Sequence, residues 1–259
     1  MKTIRLFLAL FFSAGAIRAA DAVSDGPAAL VISYRAKPET RAAFRAWLAT
    51  KGAAQFAQWQ REGVLAGSEI LFTSFAATSV VDAIVILHFA HYTDSERWKA
   101  VERTSPGGLS AEALALAAPE SVCYADTLGH GSAPQRDPAR AAYLITFYEV
   151  IADTPKYKNY SAGYTLPQMR GWMEAGALSG YDLYLNQAPL GKPWDAMLVL
   201  EYADIAALAR RDEVKANVRA RLAATDAQWL EWSKDKSAIR HEVSSVIADA
   251  IVPAPPAAK

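Results

Sequence analysis

Apolar positions along this chain switch between a period of about two and a period of about 3.6, and they do so twice in the same order. In the first round, Leu30 to Arg35 (LVISYR) reads as a strand, and a helical stretch from Pro38 to Glu62 carries Phe44, Trp47 and Leu48 at helical spacing. Gly63 suits the position just past a helix, where a left-handed backbone is needed. Glu69 to Ser74 and Ala83 to Ala90 (AIVILHFA) read as the next strands. Thr93 and Glu96 form a capping-box pattern ahead of a helix carrying Trp98 and Val101, and Val122 to Thr127 reads as a fourth strand. The second round places strands at Tyr143–Val150, Tyr181–Gln187, Ala196–Tyr202 and Val243–Ile251. Its first helical region, Thr154–Glu174, is predicted to break before Pro167. Asp204 caps a long helix to about Ala224, and a further segment carries Trp229 and Trp232.

The two rounds align without a gap at an offset of 113. Trp59, Gly63, Leu65, Gly67 and Asp82 fall on Trp172, Gly176, Leu178, Gly180 and Asp195; Ala83, Leu87, Ala90, Arg97 and Val101 also meet identical residues. That is 10 identities over 43 positions, where chance gives about three. Each half thus reads as β-α-β-β-α-β, a ferredoxin-like unit, over 28–128 and 141–251, joined by a linker at 129–140. The tail 252–259, rich in Pro and Ala, is expected to stay disordered.

The third strands decide how the halves meet. Val85, Leu87 and Phe89 point one way and Ile84, Ile86 and His88 the other; Leu198, Leu200 and Tyr202 oppose Met197, Val199 and Glu201. Helices cover only one face of such a sheet, yet both faces are apolar. The economical cover is the other half, sheet against sheet, closing a barrel. The expected fold class is therefore α+β: two tandem ferredoxin-like repeats forming an intrachain pseudo-dimeric α/β barrel. In element order and duplication, over about 28–251, the chain resembles the dimeric α/β-barrel superfamily. That resemblance implies a small-molecule protein, since the superfamily holds cofactor-independent monooxygenases, haem-binding enzymes, isomerases, lyases and simple binders; it does not choose among them.

The start of the chain adds a location. Lys2 and Arg5 precede an apolar run, Leu6–Ala16, too short to span a bilayer, and Ala20-Asp21-Ala22 offers small residues to a signal peptidase. Residues 1–22 read as a secretory signal peptide, which implies a periplasmic or secreted protein with no membrane attachment after cleavage. The remainder carries 24 basic and 26 acidic side chains, net charge −2. Such a balance offers no long-range field for nucleic acid. Cys123 is the only cysteine, so no intrachain disulfide forms.

Candidate chemistry lies on the barrel-facing strand positions. His88 and its counterpart Glu201 are the candidate proton-transfer groups, because burial moves both pKa values towards neutrality. Ser33 and Arg35 on the first strand are expected to approach His88, and Thr146 and Tyr148 to approach Glu201, giving two unequal ligand-binding sets. His88-x-x-His91 has metal-like spacing, but on a strand the two rings point to opposite faces, so no metal is expected. No cofactor is predicted. Haem stays open because of the resemblance, although no Gly-x-x-Asp-Gly motif of the dye-decolorising peroxidases occurs and His241 is not on a predicted helix. P-loop, Gly-x-Gly-x-x-Gly, Gly-x-Ser-x-Gly and His-Glu-x-x-His patterns are also missing.

Three readings follow. The favoured one is an exported soluble protein that binds a small, largely apolar or aromatic molecule in a half-barrel pocket. The second is a metal-independent enzyme with His88 or Glu201 as proton acceptor. The third is a non-catalytic interaction module. Further association of the chain is not required by any of them.

Overall fold

The computed structural model of the protein describes residues 28–77, 81–187 and 193–252. The proposed signal segment 1–22 and the tail from Pro253 lie outside these described residues. Among the described residues eight strands are present: β1 (Ala28–Ala36), β2 (Gly67–Thr73), β3 (Ala83–Phe89), β4 (Ala117–Ser132), β5 (Ala142–Val150), β6 (Leu178–Asn186), β7 (Ala196–Tyr202) and β8 (Arg240–Ala250). They close into one antiparallel barrel in the order β1-β3-β2-β8-β5-β7-β6-β4. The seams are β2 with β8, where Leu71 faces Ala250, and β4 with β6, where Ala125 faces Asn186.

The apolar third strands explain the closure. Val85, Leu87 and Phe89 pack under the first set of helices, while Ile84 and Ile86 join Met197 and Val199 inside the barrel. Each such side chain contributes roughly 1.5–3 kcal/mol when fully buried, and an open sheet would leave one of the two rows wet. Leu198, Leu200 and Tyr202 pack under the second set of helices. Three apolar layers result, one within the barrel and one on each flank.

The first flank holds α1 (Arg41–Trp47) and α2 (Ala53–Arg61), with α3 (Ser95–Glu102) and the short α4 (Ala111–Leu114) beyond; a π turn, Leu48–Gly52, joins α1 to α2 without a break. The second flank repeats this with α5 (Thr154–Tyr160), the π turn Ser161–Thr165 and α6 (Leu166–Glu174), followed by α7 (Ile205–Ala209), α8 (Arg211–Thr225), α9 (Ala227–Lys234) and α10 (Lys236–Ile239). Pro167 therefore does not end the helical region. It sits in the first turn of α6, directly after the wide turn, where no N–H is required of it. Gly63 and Gly176 close α2 and α6 with φ of 71° and 69°, the left-handed conformation predicted for Gly63.

Three boundaries differ from the sequence reading. The fourth strand runs on to Ser132, so 129–132, placed in the linker, is sheet paired with β6. The capping carboxylate before α3 is Asp94, which accepts from the His91 backbone N–H at 3.1 Å, instead of Glu96. The first strands also correspond at 114 residues, not 113: Ala28 faces Phe89 where Ala142 faces Tyr202. That one-residue slip matters, because side-chain direction alternates along a strand.

Candidate functional site

One end of the barrel gathers charged groups from both halves. Glu69 on β2 and Asp182 on β6 face inward, each on the same face as an interior residue two places on, Leu71 and Tyr184. Glu69 lies opposite Ile86 and Asp182 opposite Val199. His88 and Glu201 end the inward rows of β3 and β7. The two pairs, Glu69 with Asp182 and His88 with Glu201, occupy corresponding places at the offset of 113, yet they share one barrel mouth.

Arg136, from the segment between β4 and β5, ties the mouth together. Its Nη2 donates to Glu69 Oε1 at 2.6 Å and its Nε donates to Glu201 Oε2. Glu201 is 2% exposed and also accepts from the Tyr143 hydroxyl at 2.9 Å and the Ser179 hydroxyl at 2.7 Å. Both of its oxygens are thus committed. Burial works against the Arg136 charge, but Glu69, Tyr143 and Glu201 more than offset it and hold the guanidinium above its ordinary pKa.

Glu69 behaves differently from Glu201. Burial raises its pKa to about 7 against the pull of Arg136, and Asp182 and Glu201 push the same way. Burial also lowers the pKa of His88, partly countered by Asp182 and reinforced by His130 and Arg136. His130 Nδ1 lies 2.7 Å from Asp182 Oδ1, and that hydrogen bond raises the His130 pKa. At neutral pH this mouth therefore holds a neutral imidazole beside a carboxyl group near its midpoint. It opens on a cavity of about 390 Å³ whose other walls come from Ala53, Ala57 and Gln60 of α2, from Pro138 and from the chain at Ala250–Val252.

The expected ligand sets are rearranged. β1 pairs with β3 as foreseen, but antiparallel register puts Ala29 opposite His88 and Ser33 opposite Ile84. Ser33 and Arg35 consequently sit at the far end of the barrel, where Ser33 is buried and Arg35 donates from Nη2 to Glu120 Oε1 at 3.0 Å. Thr146 and Tyr148 do not approach Glu201 either. Tyr143 faces Glu201 instead, while Thr146 and Tyr148 point outward, towards the helices of the second flank. The one-residue slip in the first strands is the cause. There they line a second cavity of about 410 Å³ between sheet and helices, with Leu198, Leu200, Met169, Trp172 and Arg240.

Glu69, Asp182, Arg136 and His130 were missed by the sequence reading. A signal for the first two existed: two carboxylates at repeat-equivalent places inside apolar strands. Nothing in the sequence marked Arg136 or His130, both of which fall in the stretch taken as linker.

Haem needs an axial donor and cations for its propionates. The barrel mouth offers His88 and His130, but Arg136 is committed to two carboxylates, and Glu69 and Asp182 add negative charge. The second cavity has cations, yet neither imidazole nor thiolate lines it, and burial pushes the phenol of Tyr202 up to about 12 and that of Tyr148 upward. Neither site supplies both requirements, so the residues present do not fit haem. Among the described residues, no three His, Cys, Asp or Glu side chains are grouped to hold a metal ion, and no helix is long and apolar enough to cross a membrane.

Solved structures of similar fold include a Lactobacillus acidophilus protein provisionally described as a monooxygenase, with TM-score 0.55 and 10% identity over 88% of this chain and 95% of that one. An anthrone oxidase-like protein matches at TM-score 0.54 and 11% identity, covering 87% and 91%. An arginine-to-lysine mutant of chlorite dismutase from Candidatus Nitrospira defluvii matches at 0.50 and 8%, covering 90% and 93%. No protein-family model matches the chain, and no curated protein matches its sequence. The fold is that of the dimeric α/β-barrel proteins. At these identities the likeness carries no chemistry.

Proposed function

We propose that this is an exported protein that binds a small, largely apolar molecule at the barrel mouth, with the polar end of that molecule against His88, Glu69 and Arg136. The observation that carries the reading is the cavity itself: an apolar entrance of suitable size ending on groups that can donate and accept. Its two halves are read as tandem ferredoxin-like units. In support, each half has its strands in matching ring order, and Asp82 and Asp195 make matching bonds to the Ala36 and Val150 N–H groups. A barrel closed by one chain needs no second subunit. Export rests on the character of residues 1–22, and the N-terminal sequence of the mature protein tests it.

Binding is tested with 2-naphthol, an aromatic body carrying one hydroxyl. Calorimetry should give saturable binding in the native protein that is at least tenfold weaker in Ala57→Trp, whose indole fills the entrance. Equal binding by both would remove the barrel mouth from consideration.

A second reading, an acid–base enzyme, is favoured by the Glu69 carboxyl standing near its midpoint at neutral pH. Glu69, not Glu201, is then the proton acceptor, because three donors already occupy Glu201. Anthrone, suggested by one structural neighbour, is a suitable probe. Glu69 takes a methylene proton, leaving the enolate, and returns solvent deuterium to carbon. Exchange in D2O followed by proton NMR should be accelerated by the native protein and not by Glu69→Gln; equal rates with and without protein dismiss the enzyme reading.

A further inference from the structure

The two flanks of the barrel are built on one plan but filled differently. On the first flank Phe56 and Trp98 stack with ring centroids 6.5 Å apart, and Trp59 meets Trp98 edge-on at 5.1 Å. At the offset of 113, Trp59 becomes Trp172, but Phe56 becomes Met169 and Trp98 becomes Arg211. Two aromatic rings are lost, and the second cavity lies where Met169 and Arg211 now stand. Phe44, Trp47, Leu48 and Gly52 become Tyr157, Tyr160, Ser161 and Thr165 in the same comparison. Hydrocarbon has been exchanged for hydroxyl groups within a core.

Those polar groups are not satisfied within the described residues. The Thr165 hydroxyl, the Trp172 indole N–H and Arg240 Nη1, all on residues lining the cavity, are sealed from solvent and make no hydrogen bond there. The Tyr160 hydroxyl, close to Arg240, is in the same condition, whereas the Tyr157 hydroxyl helps to hold the Arg240 charge. An unmade bond at a buried polar group lowers stability. Indole and guanidinium can only donate, so these residues bias the cavity wall towards a ligand that accepts.

Charge points the same way. Arg211, Lys215, Arg219, Lys236 and Arg240 line the cavity against two carboxylates, Asp212 and Glu242. Glu242 accepts from Ser245, and Arg211 stands 3.7 Å from its neighbour Asp212. Among the described residues, Lys215, Arg219, Lys236 and Arg240 form no salt bridge; Arg219 donates only to Gln168, at 2.8 Å. The Arg240 guanidinium lies 3.9 Å above the Tyr148 ring, held by the face of the ring. Burial lowers the Lys236 pKa, and Arg219, Lys215 and Arg240 add to it, with Glu242 opposing them in part.

We infer that the second cavity is a binding site for an organic carboxylate, with the carboxylate held among Arg240, Arg219 and Lys236 and a flat apolar body lying over Leu198, Leu200 and Trp172. This site is separate from the barrel mouth and does not depend on what binds there. The cations confer selectivity for charge, and the cavity of about 410 Å³ limits the body to two or three fused rings or an equivalent chain.

The test compares 2-naphthoate with its neutral isostere, 2-naphthamide, by calorimetry on the full protein. Naphthoate should bind at least tenfold more tightly than the amide. Lys215→Gln with Lys236→Gln, the first half-buried and the second exposed, should erase that preference without lowering the melting temperature. Arg240→Gln should do the same more strongly if it folds; the lysine pair decides the matter if it does not. Ala57→Trp, at the other cavity, should leave naphthoate binding intact, so failure of the barrel-mouth reading and failure of this one are separable. Equal affinity for acid and amide, no binding of either at millimolar concentration, or acid binding indifferent to the lysine changes would each overturn the proposal. A haemin titration giving a ligated-iron absorbance spectrum would overturn it in favour of haem.

Discussion

Arg136 Nη2 donates to Glu69 Oε1 at 2.6 Å, so a residue from a connecting segment neutralises a carboxylate inside the barrel mouth. The same guanidinium reaches Glu201 from the opposite half of the chain. One side chain therefore holds one buried and one half-buried acid and joins the halves at the candidate site.

Removing that cation should leave two acids uncompensated. Arg136→Met is expected to cost about 2–3 kcal/mol, at or below the usual range for breaking a buried pair because the arginine is one-third exposed. Urea unfolding at pH 7 measures this. The loss should shrink at pH 5, where Glu69 is protonated in the folded protein.

Glu69 also gives stability a pH dependence of unusual sign. Between about 4.5 and about 7 the folded protein keeps the Glu69 proton, while the unfolded chain has released it. Stability from this group is therefore lost as pH rises through that window, by up to about 3 kcal/mol. His130, whose pKa is raised by Asp182, adds loss in the same direction as pH climbs through its folded value. His88, lowered by burial, works the other way and costs stability as pH falls below its unfolded value. The informative quantity is the difference between the native protein and Glu69→Gln. Across pH 4.5 to 7 the native curve should fall relative to the variant; parallel curves would show Glu69 to be an ordinary carboxylate.

Asp82 and Asp195 should be matched supports. Each accepts a backbone N–H from the strand beside it, Ala36 at 2.9 Å and Val150 at 2.7 Å. Truncation to Ala leaves that N–H unmade and should cost about 1–3 kcal/mol in each case. Asp82 further accepts from Arg41 Nε at 2.6 Å, so Asp82→Ala also releases that guanidinium. Thermal unfolding of both variants measures the losses.

Met169→Phe restores on the second flank the ring that Phe56 supplies on the first. Filling the cavity should raise stability by about 0.5–2 kcal/mol and abolish naphthoate binding. A variant that is stabilised yet still binds naphthoate would place the carboxylate elsewhere.

Much of the fold was legible because it rests on hydrophobic period and repetition. Ile84, Ile86, Met197 and Val199 announced a second buried face, and Asp82 and Asp195 announced a duplicated support. The site was less legible. His88 was found because a polar residue ended an apolar strand, whereas Arg136 acts through a segment with no pattern. Thr146 and Tyr148 were assigned to the wrong face because the gapless alignment hides a one-residue shift between Leu30 and Tyr143, and a strand reverses its faces over one residue. The second cavity was visible only as lost aromatic residues, Phe56 to Met169 and Trp98 to Arg211, whose meaning depends on knowing that they share one flank.

The barrel mouth is tested most directly by following the His88 Cε1–H resonance during titration with 2-naphthol. The resonance should move saturably in the native protein and stay still in Ala57→Trp. An unmoved His88 signal in native protein up to the solubility limit of 2-naphthol would contradict a ligand site at the barrel mouth.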